Sequence, residues 1–147
     1  MTEPYRRYLD LAGRSTRREY WVFVVFVTVV AALLAASLSL TVFGVSPARA
    51  GLEAFDPPLT FWIVVLVTGA WALFTLPPLY SVTVRRLHDL GQPGWWALLP
   101  LIATLWSPWA GGTVGFLLAG AMCLDGQRGR NRFGTDPKFR LGYRLSA

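Results

Sequence analysis

Charged residues are absent from three long stretches of this 147-residue chain, which run from Trp21 to Ala48, from Leu59 to Val84 and from Trp95 to Leu124. A helix of ~20 residues, rising ~1.5 Å per residue, crosses the ~30 Å hydrocarbon core of a bilayer. Because 54% of the residues are hydrophobic, the polar remainder is too small to cover them in water. The sequence therefore excludes a water-soluble globule and predicts an integral membrane protein.

Cysteine and histidine are nearly missing as well, with Cys123 and His88 as single representatives. One cysteine cannot form an intrachain disulfide. Metal sites normally need about three or four ligands, and a nucleophile needs a positioned base. No ligand-spaced cluster occurs, so we predict no catalytic residue, no metal site and no cofactor. We expect His88 to bond loop carbonyls at a helix end.

The positive charge of the chain is unevenly distributed. There are 14 Lys and Arg against 8 acids, a net charge of +6. Nearly all the basic residues lie in segments 1–20, 85–94 and 125–147, namely Arg6, Arg7, Arg14, Arg17, Arg18, Arg85, Arg86, Arg128, Arg130, Arg132, Lys138, Arg140 and Arg144. This bias is the positive-inside pattern, which places the three segments in the cytoplasm. It favours anionic lipid headgroups over nucleic acid as the counter-charge.

The N-terminal segment predicts two consecutive helices. Apolar residues between Tyr5 and Ala12 recur at i, i+3, i+4 and i+7, which indicates a short amphipathic helix in the headgroup plane. Thr16 and Glu19 then form a capping box before the first apolar stretch. We therefore expect the first membrane helix to start near Arg17.

The second membrane helix is predicted from Leu59 to about Leu87. Pro77 and Pro78 lie well inside it and should kink it, since neither has an amide donor. Gly91 follows the last basic turn and is a natural C-terminal cap.

The third apolar stretch predicts a hairpin. Segments 85–94 and 125–147 are both basic, so the 30 residues between Trp95 and Leu124 should leave one side and return to it. Two full crossings need ~40 residues. We expect a short helical hairpin, which could be re-entrant, turning between Ser107 and Gly112. The alternative is one tilted, kinked span with an exported C-terminus. Small residues suited to close packing of the second arm are Gly111, Gly115 and Ala119.

The predicted fold class is therefore all-α, a polytopic membrane helical bundle with two full spans, the short hairpin and a short N-terminal interfacial helix. We expect residues 1–147 to form a single membrane domain. It would comprise a cytoplasmic amphipathic segment at 1–20, membrane-embedded helices over 21–124 and a basic cytoplasmic tail at 125–147, with both termini cytoplasmic.

Three polar clusters flank the apolar stretches. They read GRSTRREYW at residues 13–21, RRLHDLG followed by GWW within residues 85–96, and GRNRFGTDP at residues 129–137. In this order they resemble the bacterial inner-membrane family catalogued as domain of unknown function 805, the YhaH-like proteins, over roughly residues 8–138. Leu90, Gln92 and Pro93 depart from its usual pattern, as does the stretch from Asp125 to Arg128. The resemblance implies a bacterial cytoplasmic membrane location and brings no activity, catalytic residue or ligand.

All three clusters are predicted on one cytoplasmic face. We hypothesise that they join into one cap in which Asp89 accepts bidentate bonds from an N-terminal or C-terminal arginine. The candidate residues of this cap are Arg14, Arg17, Arg18, Glu19, Arg85, Arg86, His88, Asp89, Asn131, Arg132 and Asp136.

These features favour a non-enzymatic membrane interaction or accessory component. Its partners would be the lipid bilayer with its anionic headgroups, and a membrane protein or a second copy of the chain. The alternative is a small transporter or channel subunit, since prolines at positions 77, 78, 100 and 108 could break helices as carriers do. Coupled carriers usually keep ionisable residues inside their spans, and here the apolar stretches contain none.

Overall fold

The computed structural model describes residues 8–43 and 58–137, and every regular element within these ranges is helical. The elements are α1 (Arg17–Phe43), α2 (Leu59–Asp89), a 3-10 helix (Gly94–Leu98), α3 (Leu99–Trp106) and α4 (Pro108–Ala121). One isolated β-bridge, between Asn131 and Gly134, closes a turn in the loop after α4. The all-α prediction is confirmed.

The two long helices have the length and composition of membrane spans. Apolar helix covers 25 residues in Arg17–Thr41 and 31 residues in Leu59–Asp89, and only 11% and 6% of their most apolar windows are buried. The core helix of a soluble protein would be mostly buried, so lipid is the medium that fits these exposed apolar side chains. Pro77 and Pro78 lie inside α2 without ending it, and the kink expected there stays a prediction.

Local signals fix the start of α1 at the predicted residue. The Glu19 amide donates to Thr16 Oγ1 at 3.2 Å, which is one half of the capping box. Of the short amphipathic helix predicted before it, residues 1–7 lie outside the described residues. Residues 8–12 form a turn followed by non-helical chain.

The end of α2 is closed by Gly91, as predicted. Its φ of 76° is in the left-handed region that glycine adopts without strain. The Gln92 amide donates to Leu87 O at 2.9 Å and the Gly91 amide donates to His88 O at 3.1 Å. This pair of bonds is a Schellman motif, which turns the chain sharply away from the helix axis.

The chain after α2 folds as the predicted helical hairpin. Ser107, in an extended conformation, separates α3 from α4. A Cβ added to Gly111 would lie 2.9 Å from Thr104 Cα, and one added to Gly115 would lie 3.7 Å from Pro100 Cβ, so the two arms run antiparallel in close contact. The first arm, which consists of the 3-10 helix and α3, and the second arm, α4, are each roughly 20 Å long, shorter than the ~30 Å hydrocarbon core. Whether the hairpin is re-entrant stays a prediction.

The described residues divide into two compact units, 8–23 with 77–137 and 24–43 with 58–76. In the first unit, buried apolar side chains surround a group of buried charges; they are Tyr20, Phe23, Val82, Val84, Leu87 and Met122. In the second unit, the C-terminal part of α1 and the N-terminal part of α2 expose large apolar side chains, among them Leu33, Leu40 and Leu66. The candidate site lies entirely within the first unit.

Candidate functional site

Asp89, at the C-terminal end of α2, is the centre of a buried ionic group. Arg14 Nε and Nη2 both lie 2.9 Å from Asp89 Oδ1, and Arg86 Nη1 donates to Asp89 Oδ2. The side chains of these three residues, the Asp89 triad, are between 1% and 4% exposed. Charge-assisted bonds of this kind are strong in a dry environment, and removing one partner leaves a costly buried charge.

Arg86 ties the end of the hairpin to α2. Its Nη2 donates to Met122 O at 3.1 Å and to Leu124 O, and its Nε donates to Met122 O at 3.3 Å. These carbonyls follow α4, where the last carbonyl groups of a helix have no intrahelical partner and carry partial negative charge. The hairpin therefore returns to the point where α2 ends. A single tilted span, the alternative considered from sequence, would have carried Leu124 away from this point.

Arg14 ties the following loop to the same carboxylate. Its Nη1 and Nη2 donate to Gly129 O and Gln127 O, and the Gln127 amide donates to Asp89 O at 2.9 Å. A Cβ added to Gly126 would collide with the Asp89 carboxylate. Glycine at this position is what lets the loop pass so closely.

His88 joins the N-terminal segment to the loop after α4. Its Nδ1 lies 3.2 Å from Gly13 O, and its ring stacks on Phe133 with centroids 3.9 Å apart and planes 7° apart. Asn131 Nδ2 donates to His88 O at 2.9 Å. The contact of His88 with a loop carbonyl is the arrangement expected from sequence.

A second set of ionic contacts joins the start of α1 to α2 and the loop. The Arg85 guanidinium lies 3.7 Å from Glu19 Oε1, and the Ser15 amide donates to Arg85 O at 3.1 Å. Arg17 Nη2 lies 2.8 Å from Asp125 Oδ1, with the two side chains 47% and 68% exposed. The Arg85 side chain is fully buried, whereas the ion pair of Arg17 and Asp125 lies on the surface.

The remaining predicted cap residues have different surroundings. Asp136 is buried and accepts from the Gly129 amide at 3.3 Å, and Arg132 Nη2 donates to Gly91 O at 3.0 Å. Arg18 is exposed and forms no ion pair with any residue that the structure describes. Of the eleven predicted residues, Arg14, Arg86 and Asp89 thus form the triad, seven others contact groups of the same unit, and Arg18 stands apart.

Sequence reasoning missed the acceptors that satisfy the buried guanidiniums of Arg14 and Arg86. Four are main-chain carbonyls of residues 122, 124, 127 and 129, and every residue carries such a group, so no side-chain pattern marks them. Phe133 and Gly126 were also missed. Phe133 lies inside a polar cluster, whose pattern predicts no role for it. Gly126, next to Asp125, is the one sign in the sequence that the loop approaches another group closely.

The arrangement is suited to holding chain segments together. Each guanidinium nitrogen of Arg14 and Arg86 has an acceptor within the protein. Within residues 8–43 and 58–137, no group of three or more His, Cys, Asp and Glu side chains is placed to hold a metal ion.

Comparison with known proteins identifies the family to which the chain belongs. The model of the family described as "Protein of unknown function (DUF805)" matches residues 8–135. The chain belongs to the DUF805 family. The matched region of this DUF805 protein contains the whole Asp89 triad and the loop that binds it.

Two curated relatives of this DUF805 protein come from Escherichia coli K12. Inner membrane protein YhaI is 32% identical over 134 residues, which cover 91% of each chain. Inner membrane protein YhaH is 32% identical over 136 residues, which cover 90% of this chain and 91% of the relative. No solved structure matches. The family resemblance seen in the sequence is confirmed, and this is a membrane protein of a family without an established function.

Proposed function

We propose that this DUF805 protein is an integral component of the bacterial cytoplasmic membrane with both termini in the cytoplasm. It acts there as a non-enzymatic interaction or accessory component. The inner-membrane relatives and the two apolar helices support the membrane. The segments that meet at the Asp89 triad are also the basic ones, and this supports their placement on the positive-inside leaflet.

The Asp89 triad is the observation that carries the proposal. A guanidinium that recognises a substrate needs donors directed into an open site, whereas the nitrogens of Arg14 and Arg86 are all directed at internal acceptors. Their role is to hold residues 13–15, the end of α2 and the loop after α4 as one unit. We refer to this unit as the cytoplasmic cap.

The hairpin that the cap holds at its end presents exposed apolar side chains. The outer face of α4 carries Trp109 and Phe116, which are 87% and 80% exposed, and α3 ends in Trp106 at 91% exposure. Lipid covers such side chains in a monomer, and a membrane protein partner or a second copy would cover them in a complex. An accessory role needs defined surfaces of this kind and no reaction centre.

Two measurements test the proposal. Ion and solute flux is measured in proteoliposomes that contain the purified protein alone, and we expect none above that of empty liposomes. Robust flux would instead support a transporter or channel function. A reporter fused to the C-terminus, active only in the cytoplasm, should be active in cells, and activity of a periplasm-dependent reporter at the same position would refute the orientation.

A further inference from the structure

Three arginines alternate with inward-facing residues in the loop that follows α4. Arg128, Arg130 and Arg132 are exposed, whereas each of the residues at 129, 131 and 133 is half-buried. The chain bends at Gly129, whose φ is 76°, and turns again at residues 132 and 133, so the alternation follows from the inward contacts of the loop and not from a regular strand. We call the three exposed side chains the arginine comb.

The inward-facing residues hold the comb in place. Gly129 O accepts from Arg14, Asn131 donates to His88 O at 2.9 Å and Phe133 stacks on the His88 ring. The Asn131 and Gly134 backbones exchange hydrogen bonds of 3.0 and 3.1 Å, which closes the turn. Since the backbone is already ordered, binding at the comb costs less conformational entropy than binding to a loose tail.

The acidic groups of the cap do not neutralise the comb. Asp89 and Asp136 are only 3% and 6% exposed, and both are engaged inside. Asp125 is 68% exposed, but it pairs with Arg17 at 2.8 Å. Among residues 8–43 and 58–137, no carboxylate lies within ion-pair distance of Arg128 or Arg130. The outward-facing charge is therefore positive.

Two contacts favour a place for the comb close to the membrane interface. Its inward neighbour His88 lies in the last turn of α2, and a Cβ added to Gly94 would lie 3.2 Å from His88 Nε2. The next residue, Trp95, is 57% exposed, and tryptophan favours the headgroup level of a bilayer. A guanidinium near that level meets lipid phosphate first, and its planar fork binds two phosphate oxygens at once.

We propose that the arginine comb is a binding surface for anionic phospholipid headgroups of the adjacent leaflet, which rests on the proposed cytoplasmic placement of the cap. Arg128 and Arg130 supply the unpaired charges, and Arg132 supplies a guanidinium positioned by Gly91 O and by the Phe133 ring, 4.6 Å away. Zwitterionic lipid offers the same phosphate together with a cancelling cation, so the surface discriminates by net charge.

Native mass spectrometry of the detergent-solubilised full-length protein tests this proposal. Phosphatidylglycerol and phosphatidylcholine are titrated separately, and the dissociation constant of the first bound lipid is compared. We expect tighter binding of phosphatidylglycerol by the wild type. Replacing both free arginines, R128Q/R130Q, should weaken phosphatidylglycerol binding about 30-fold, or about 5-fold per near-surface cation, and leave phosphatidylcholine unchanged.

The matched control R128K/R130K keeps both charges and should keep most of the preference. Both variants should unfold at the wild-type temperature, because neither side chain contacts the triad. An unchanged phosphatidylglycerol preference in R128Q/R130Q would overturn the proposal. Loss of the phosphatidylglycerol preference of the wild type on addition of inorganic phosphate, at matched ionic strength, would also overturn it. That result would assign the surface to free phosphate. Neither result bears on flux or reporter orientation, so failure here is distinct from failure of the proposed function.

Discussion

The substitution Asp89→Asn removes the shared counter-ion of two buried guanidiniums while it keeps the size of the side chain. Arg14 and Arg86 approach opposite oxygens of the same carboxylate, and their side chains are each 1% exposed. In the variant they become two buried like charges held close together. Removing one partner of a buried pair costs ~3–5 kcal/mol.

The loss of unfolding free energy in Asp89→Asn should lie at the lower end of that range, because main-chain carbonyls also accept from both guanidiniums. Both guanidiniums keep their bonds to the loop and to the end of α4, and the side-chain amide oxygen of the variant still accepts from one of them. We therefore expect a loss of ~3 kcal/mol, which for a chain of this size lowers the unfolding midpoint by roughly 6–12 °C. Thermal unfolding in detergent micelles, followed by tryptophan fluorescence, measures the shift.

The control is Asp125→Asn, which also removes one carboxylate charge. Asp125 pairs with Arg17 at the surface, and exposed pairs contribute less than ~1 kcal/mol. Its midpoint should therefore stay close to that of the wild type. If Asp89→Asn shifted the midpoint no more than Asp125→Asn does, the Asp89 triad would not hold the cap together.

Two glycine substitutions test close packing in the same unfolding assay. Gly126→Ala should lower the free energy of unfolding by ~1–3 kcal/mol, because the new methyl group meets the Asp89 carboxylate, which two arginines hold in place. Its control is Gly120→Ala, where the methyl group enters open space and should be neutral or stabilising. Gly111→Ala should destabilise the hairpin by a similar amount, since its methyl group meets the side chain and the Cα of Thr104 in α3. Gly112→Ala, with no neighbour within 4 Å, is its control, and equal midpoints within either pair would contradict the packing described.

Several ends of helices were predictable from signals that are local in the chain, although the apolar spacing before residue 13 predicted helix where residues 8–12 form a turn and non-helical chain. The capping box of Thr16 and Glu19 determines where α1 begins, because the bond joins residues three apart. Gly91 ends α2 because only a residue that tolerates a positive φ can turn there. The hairpin followed from the charges at its two ends, since both basic segments had to reach the same side.

The site was predictable in its charged members and not in its geometry. The charge bias predicted the three polar clusters on one face and so placed Arg14, Arg86 and Asp89 in one hypothetical cap. Nothing in the sequence shows that Arg14 and Arg86 take opposite oxygens of one carboxylate. The other acceptors are main-chain carbonyls, whose positions depend on the completed fold. The stacking of Phe133 on His88 had no periodic or charge signal at all.

The interaction free energy between Arg14 and Asp89 tests the central claim most directly, since these residues are 75 positions apart in the chain. A double-mutant cycle with Arg14→Gln, Asp89→Asn and the double variant measures it from unfolding midpoints. We predict a coupling of at least ~1 kcal/mol, as for residues in one hydrogen-bonded ionic network. Additive effects within ~0.5 kcal/mol, the behaviour of distant sites, would contradict the account.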